Sequence, residues 1–188
     1  MNLANRITLL RMLLIPAFLI VAFYTPFFAA FIYLIAAITD SIDGHIARKH
    51  NQITKFGIFV DPIADKLLVV AGLVILLPLG RVTPVAVFII LAREFIVTGL
   101  RLVAASDGVN IAADKLAKVK SVLQSVFIVA ALIENWPISL FLNIPIYQIM
   151  EWVAVLFTVW SGIDYFVKYW TILDIKGEQS IDGRDGNK

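Results

Sequence analysis

Four aspartates, two glycines, an alanine and an arginine stand at fixed intervals in DSIDGHIARKHNQITKFGIFVDPIAD, the stretch from Asp40 to Asp65. On a helix advancing 100° per residue, Asp40, Asp43, Gly44 and Ala47 share one face, with Arg48 at its margin. The segment KHNQITKF then turns the chain, and on the next helix Gly57, Asp61 and Asp65 recur every four residues. Consecutive helices joined by a short link pack antiparallel, which allows the two stripes to face each other. Carboxylates gathered in this way repel strongly in a low-dielectric setting. Divalent cations relieve the repulsion, and oxygen donors without histidine or cysteine suit Mg²⁺ or Mn²⁺ better than zinc. The glycines leave room for a ligand against the backbone, and Arg48 offers a planar fork to phosphate. One aspartate near a helix end reads as a cap or an interfacial group. Four on two facing stripes read as a site.

The elements that must position this site are apolar helices. Of 188 residues, 60% are hydrophobic and 16% charged, and the mean hydropathy is +0.88. A soluble domain of this length cannot cover so much apolar surface with so few charges, so the chain is read as integral to a membrane. A net charge of +2 gives no footing for nucleic acid. The absence of cysteine excludes disulfides, a thiol nucleophile and thiolate metal sites.

A membrane's hydrocarbon core takes about 20 helical residues to cross. The sequence accommodates six such spans, near 8–24, 26–47, 57–79, 85–105, 118–134 and 146–170, divided by breaks such as YTP, PLGRVTP and ENWP. The uncharged run Met12–Thr39 is long enough for two spans and lacks a small-residue cleavage site, so no cleaved signal is expected. The predicted fold is all-α, with a transmembrane domain over 1–172 and a polar, mobile cytoplasmic tail over 173–188. No internal repeat is evident, and the runs lack the alternation of a barrel.

Orientation follows from the basic residues. Arg6, Arg11, Arg48, Lys49, Lys55, Lys115, Lys118, Lys120, Lys168, Lys176, Arg184 and Lys188 fall on one side of this layout, and Arg81 on the other. The asymmetry places both termini and the aspartates at the cytoplasmic face of the cell membrane.

The pattern Asp40-x2-Asp43-Gly44-x2-Ala47-Arg48-x8-Gly57-x3-Asp61-x3-Asp65 resembles the signature of the CDP-alcohol phosphotransferase family at every fixed position. The resemblance extends to the six-helix layout. It implies an enzyme that moves a phosphatidyl or similar group from a CDP-linked donor to an alcohol and releases CMP. It also implies two divalent cations on Asp40, Asp43, Asp61 and Asp65, with Asp65 doubling as the catalytic base. Nucleotide contacts would fall on Asp40, Gly44, Ala47, Arg48, Gly57 and Asp61. Relatives of this kind are commonly homodimers.

Three further segments, MNLANRITLLRMLLIP, AREFIVTGLR and KLAKVKSVLQ, resemble the phosphatidylglycerophosphate synthase branch of that family. The implied substrates are CDP-diacylglycerol and glycerol 3-phosphate. Physical reasons point the same way. Arg93 and Arg101 are eight residues apart, hence on roughly one helix face, and Lys115, Lys118 and Lys120 open the fifth span. Such a cluster favours an acceptor with its own phosphate, whereas a neutral acceptor such as serine has no use for it. Arg101 and the lysines also suit plain topology or anionic-lipid contacts; Arg93 lies deeper, with Glu94 as a candidate partner. Asn5 and Thr8 line the expected edge of the site, and Arg11 fits either that edge or an interfacial anchor.

His45 and His50 fill no fixed position of the pattern and are read as surface residues. Trp136, Trp152, Trp160 and Trp170 are read as interfacial or packing groups, and Asp164 is left unexplained by the sequence. Two alternatives bound the reading. Another acceptor (phosphatidylglycerol, inositol phosphate or serine) would keep the donor chemistry. A divalent-cation transporter would place its site near the midplane and often show paired repeats, neither of which this sequence has.

Overall fold

The structure is a computed structural model that describes residues 3–49, 55–106, 115–134, 136 and 146–182. Side chains are described for residues 9–10, 12–39, 63, 66–104, 116–134, 136 and 146–169. The described residues form helices without a strand, in the order α1 (Leu3–Tyr24), α2 (Pro26–Lys49), α3 (Lys55–Leu76), α4 (Pro84–Ser106), α5 (Lys115–Leu132) and α6 (Ile146–Asp182). The expected all-α class and the number of helices are borne out.

The turns explain why the helices break where they do. Thr25 alone separates α1 from α2, and Pro26 opens α2 at the one position where a missing N–H costs nothing. At the end of α3 the Gly80 N–H bonds Leu77 O at 3.0 Å and the Arg81 N–H bonds Leu76 O at 3.0 Å. This is a Schellman stop, and Gly80 supplies its left-handed residue at φ 67°. Thr83 then caps α4, accepting from the Ala86 N–H at 3.3 Å, with Pro84 as the first helical residue.

The helices pack as two groups of three. In the first, α1 lies against both α2 and α3; in the second, α6 lies against both α4 and α5. The groups meet where α5 packs on α2 and α3, and where α3 touches α4. Phe18, Tyr33, Leu73, Leu76, Phe127 and Ile128 are fully or almost fully buried at the centre. Gly72 makes that meeting close. A β-carbon there would stand 2.9 Å from the Ile128 side chain and 3.0 Å from the Tyr33 ring, too near for either.

Polar ties fasten the end of the bundle that holds the α3–α4 turn. Arg81 donates to the carbonyls of Ala131 and Leu132 at 3.1 and 2.9 Å and pairs with Glu134. The last carbonyls of α5 are thereby satisfied from outside the helix. Glu151 of α6 accepts from the Thr83 N–H at 2.9 Å and from its hydroxyl at 2.6 Å.

The outside of the bundle is oily. Phe88 is 72% exposed and Val167 71%, in company with Phe23, Phe95, Leu102 and Leu156. Among the described residues one helical segment, Ile146–Tyr169, is both long and apolar enough to cross a membrane; the apolar stretches Met12–Tyr24, Pro26–Thr39 and Lys66–Leu76 are shorter. Trp136 packs edge-on against Phe27 at 5.3 Å and is half exposed, as are Trp152 and Trp160. Asp164 gains an explanation: it pairs with Lys168 one turn on, at 2.6 Å. Helix α6 continues to Asp182, past the span expected over 146–170, because IKGEQSID has a single glycine and no proline to stop a helix already nucleated.

Candidate active site

The chain delivers the two halves of the aspartate pattern on neighbouring helices. Asp40, Asp43, Gly44, Ala47 and Arg48 belong to the C-terminal part of α2, and Gly57, Asp61 and Asp65 to the N-terminal part of α3. These helices run consecutively and touch. The side chains of the pattern, like those of Asn5, Thr8, Arg11, His45, Lys115 and Trp170, lie outside the described residues, as does the whole of His50. No group of three metal-capable side chains occurs among the described residues, which do not include these carboxylates.

Immediately beyond Asp65 the side chains are described, and they form a polar cluster within an otherwise apolar bundle. Lys66 of α3 reaches across to α4, where it donates to the Thr98 hydroxyl and stands 3.9 Å from Glu94 Oε2. Thr98 in turn donates to the main-chain oxygen of Glu94 at 2.6 Å. From α5, Lys120 meets Glu94 Oε1, and from α4 itself Arg93 reaches the same oxygen at 3.4 Å. Lys120 is only 2% exposed. The Glu94 carboxylate is thus shared by three cations from three helices. A narrow cavity opens beside it, lined by Lys66, Leu91, Glu94, Lys120, Ser121 and Gln124.

Helix α4 aims its two central charges differently. Arg93 and Glu94 are one residue apart and therefore about 100° apart around the axis. Glu94 faces α3 and α5, whereas Arg93 lies against α6, where a β-carbon on Gly162 would stand 3.2 Å from Arg93 Cγ. Arg101 follows on the same side, with its guanidinium 5.9 Å from the centre of the Tyr165 ring. The Nε groups of Arg93 and Arg101 are buried and bond nothing among the described residues. Buried polar groups are ordinarily paired, so two unpaired arginine donors on one wall, beside Tyr165, mark a place for an acceptor of hydrogen bonds. Deeper on α6 the polar stripe continues, and Thr158 there accepts from Gln124 at 3.0 Å.

The expected basic cluster is therefore only partly assembled. The structure brings Arg93 and Lys120 together on Glu94, with Arg101 further along the Arg93 face of α4. Lys118 is exposed, because two residues on a helix point about 200° apart and Lys120 takes the inward direction. Glu94 partners Arg93 as expected but also holds Lys120 and approaches Lys66. Lys66, Thr98 and Tyr165 were not singled out by sequence. Lys66 follows Asp65 without a spacing of its own; Tyr165 was detectable as the end of a Thr158–Ser161–Tyr165 stripe inside an apolar run.

Sequence comparison identifies relatives of this arrangement. The sequence profile of a family described as CDP-alcohol phosphatidyltransferase matches residues 1–160. A CDP-diacylglycerol–glycerol-3-phosphate 3-phosphatidyltransferase of Bacillus subtilis (strain 168) is 43% identical, over 92% of this chain and 97% of its own. A protein of the same description from Rickettsia felis is 40% identical, over 88% and 93%. A probable phosphatidylglycerophosphate synthase of Mycobacterium tuberculosis (strain H37Rv) is 39% identical, over 94% and 84%.

Proposed function

The chain belongs to the CDP-alcohol phosphatidyltransferase family, and from that premise we propose that it transfers the phosphatidyl group of CDP-diacylglycerol to glycerol 3-phosphate, giving phosphatidylglycerophosphate and CMP. The observation that carries the choice of acceptor is the basic wall of α4 to α6, where half-buried Arg93 and Arg101 keep buried, unpaired Nε–H groups beside Tyr165. A phosphate dianion fills such a wall, and a neutral alcohol leaves it unsatisfied.

The donor belongs at the other wall. Asp40, Asp43, Asp61 and Asp65 form an all-oxygen donor set on two touching helices, a chemistry that fits two Mg²⁺ or Mn²⁺ ions. When bound, such ions neutralise the pyrophosphate and the charge that develops on departing CMP. Arg48 would pair with a nucleotide phosphate, while Gly44, Ala47 and Gly57 leave space for the nucleotide to approach the backbone. Arg93, Arg101 and Lys120 would hold the acceptor's phosphate, with Lys115 and Lys118 attracting it from the surface. Asp65 would accept the proton of the attacking hydroxyl, which then bonds to the phosphorus that carries the lipid. The O–P bond to CMP breaks in the same exchange.

The six helices would lie in the cell membrane with both termini and the site toward the cytoplasm. The exposed aromatic and aliphatic surface supports this, since water would make it unfavourable. The same placement keeps the diacylglycerol tails in lipid while the headgroups react at the boundary. Because the chain has no cysteine, single reporters test the layout cleanly. Lys49→Cys should react with an impermeant thiol reagent only from the cytoplasmic side, and Pro78→Cys, in the exposed turn after α3, only from outside. Reaction of both from the same side would rule the layout out.

Acceptor choice is tested with the purified full chain in detergent, given CDP-diacylglycerol and one alcohol at a time. Glycerol 3-phosphate should yield phosphatidylglycerophosphate by mass spectrometry, while serine, inositol phosphate and phosphatidylglycerol should yield no lipid product. Product from one of those and none from glycerol 3-phosphate would move the chain to another branch of the family.

A further inference from the structure

We propose that Glu94 is a specificity-determining residue that acts as an internal stand-in for the acceptor phosphate. It holds Lys120 and Arg93 until a phosphate displaces it toward Lys66. The inference rests on the phosphate-acceptor reading given above and adds to it the group that the phosphate must compete with.

Three facts carry it. The cations assigned to the acceptor are already engaged: Lys120 meets Glu94 Oε1, and Arg93 reaches that same oxygen at 3.4 Å. The other carboxylate oxygen has a second destination, since Lys66 Nζ stands 3.9 Å from Oε2 on the side of α3. The third fact is an imbalance of hydrogen-bonding capacity. Arg93 keeps a buried Nε without a partner, so one carboxylate does not saturate the donors on this wall. An arriving phosphate, with more acceptor oxygens and more charge, outbids a single carboxylate for them.

Competition of this kind has consequences for selectivity. A neutral alcohol cannot dislodge Glu94, so Lys120 and Arg93 stay engaged and the acceptor side of the site stays closed to it. A phosphate displaces Glu94, whose charge is received by Lys66 instead of being left bare in a buried place. Glu94 and Lys66 therefore act in opposite senses on acceptor binding. Glu94 opposes the phosphate for Lys120 and Arg93, whereas Lys66 supports the phosphate by drawing Glu94 away.

The test uses that opposition of sign, which a merely structural ion cluster would not produce. Glu94→Gln should lower the KM for glycerol 3-phosphate by about fivefold or more, the low end of coupling between two sites. Lys66→Met should raise it by a similar factor. The KM for CDP-diacylglycerol should move little in either variant. Binding of inorganic phosphate to the purified full chain, followed by calorimetry, should tighten in Glu94→Gln and weaken in Lys66→Met. A shift of both variants in the same direction, or of neither, overturns the inference. If Glu94→Gln fails to fold, Glu94→Asp, which keeps the charge but shortens its reach to Lys120 and Arg93, takes its place beside Lys66→Met and should lower the KM for glycerol 3-phosphate in the same sense. Failure of the acceptor reading looks different: wild-type protein would make no phosphatidylglycerophosphate, while the phosphate-binding arm would still report on Glu94.

Discussion

Asp61→Asn is expected to abolish turnover while the bundle stays folded. The substitution keeps the shape of the side chain and removes one charge from a set of four carboxylates on α2 and α3. Two cations held as proposed by the four carboxylates would lose both charge balance and a ligand when one becomes an amide. The loss should reach at least about three decades in kcat/KM, the scale seen when groups that act as one unit are broken. Binding of Mn²⁺, followed by its paramagnetic signal, should weaken in parallel, and chelation should stop the wild-type reaction. The metal-free variant should unfold at the same temperature as metal-free wild type or slightly higher. Removing one of four like charges relieves repulsion when no cation is present to offset it. Full activity with ordinary metal dependence would remove the metal-site reading.

Neutralising Arg93 should act on the other substrate. Arg93→Gln would remove the proposed charge-assisted phosphate contact, worth about 1.5–3 kcal/mol, or roughly one to two decades in kcat/KM for glycerol 3-phosphate. The KM for CDP-diacylglycerol should change much less, because the proposed donor contacts lie on α2 and α3. Where Arg93 also orients the acceptor's hydroxyl, kcat falls along with affinity. Arg101→Gln should behave similarly, since its guanidinium lies on the same wall over Tyr165. Lys118→Gln should do less, because the exposed Lys118 shares neither the Glu94 cluster nor that wall. Unchanged glycerol 3-phosphate kinetics in both arginine variants would demote them to topology or lipid contacts, and would favour an acceptor without a free phosphate.

The helices and their breaks were legible in the sequence because the signals are local. Long apolar runs, Pro26 and Pro84 at helix starts and Gly80 at a helix stop each act within one turn. The aspartate pattern was legible for the same reason: its spacing is read along two consecutive helices. Rotation of one helix against another is not local, and there the sequence was less informative. Lys118 and Lys120 look equivalent on paper, yet packing on α2, α3 and α6 turns only Lys120 inward. Glu94 reads as a neighbour of Arg93, and only the meeting of α3, α4 and α5 gives it two lysines as well. Lys66 was hidden because its partners lie on another helix, about thirty residues along the chain.

The division of the bundle into two three-helix groups bears on how such a protein can diversify. The residues proposed for the donor lie on α2 and α3, and those proposed for the acceptor on α4 and α5, against α6. Mutation can therefore reshape one partner's berth without disturbing the chemistry of the other. Lys66 is the exception, because it sits beside Asp65 and yet reaches Glu94 and Thr98. A lineage exchanging its phosphorylated acceptor for a neutral one would be freed of most of the α4–α6 charges at little cost to the donor. Lys66 would be the last of them to go, since altering it touches both inheritances at once.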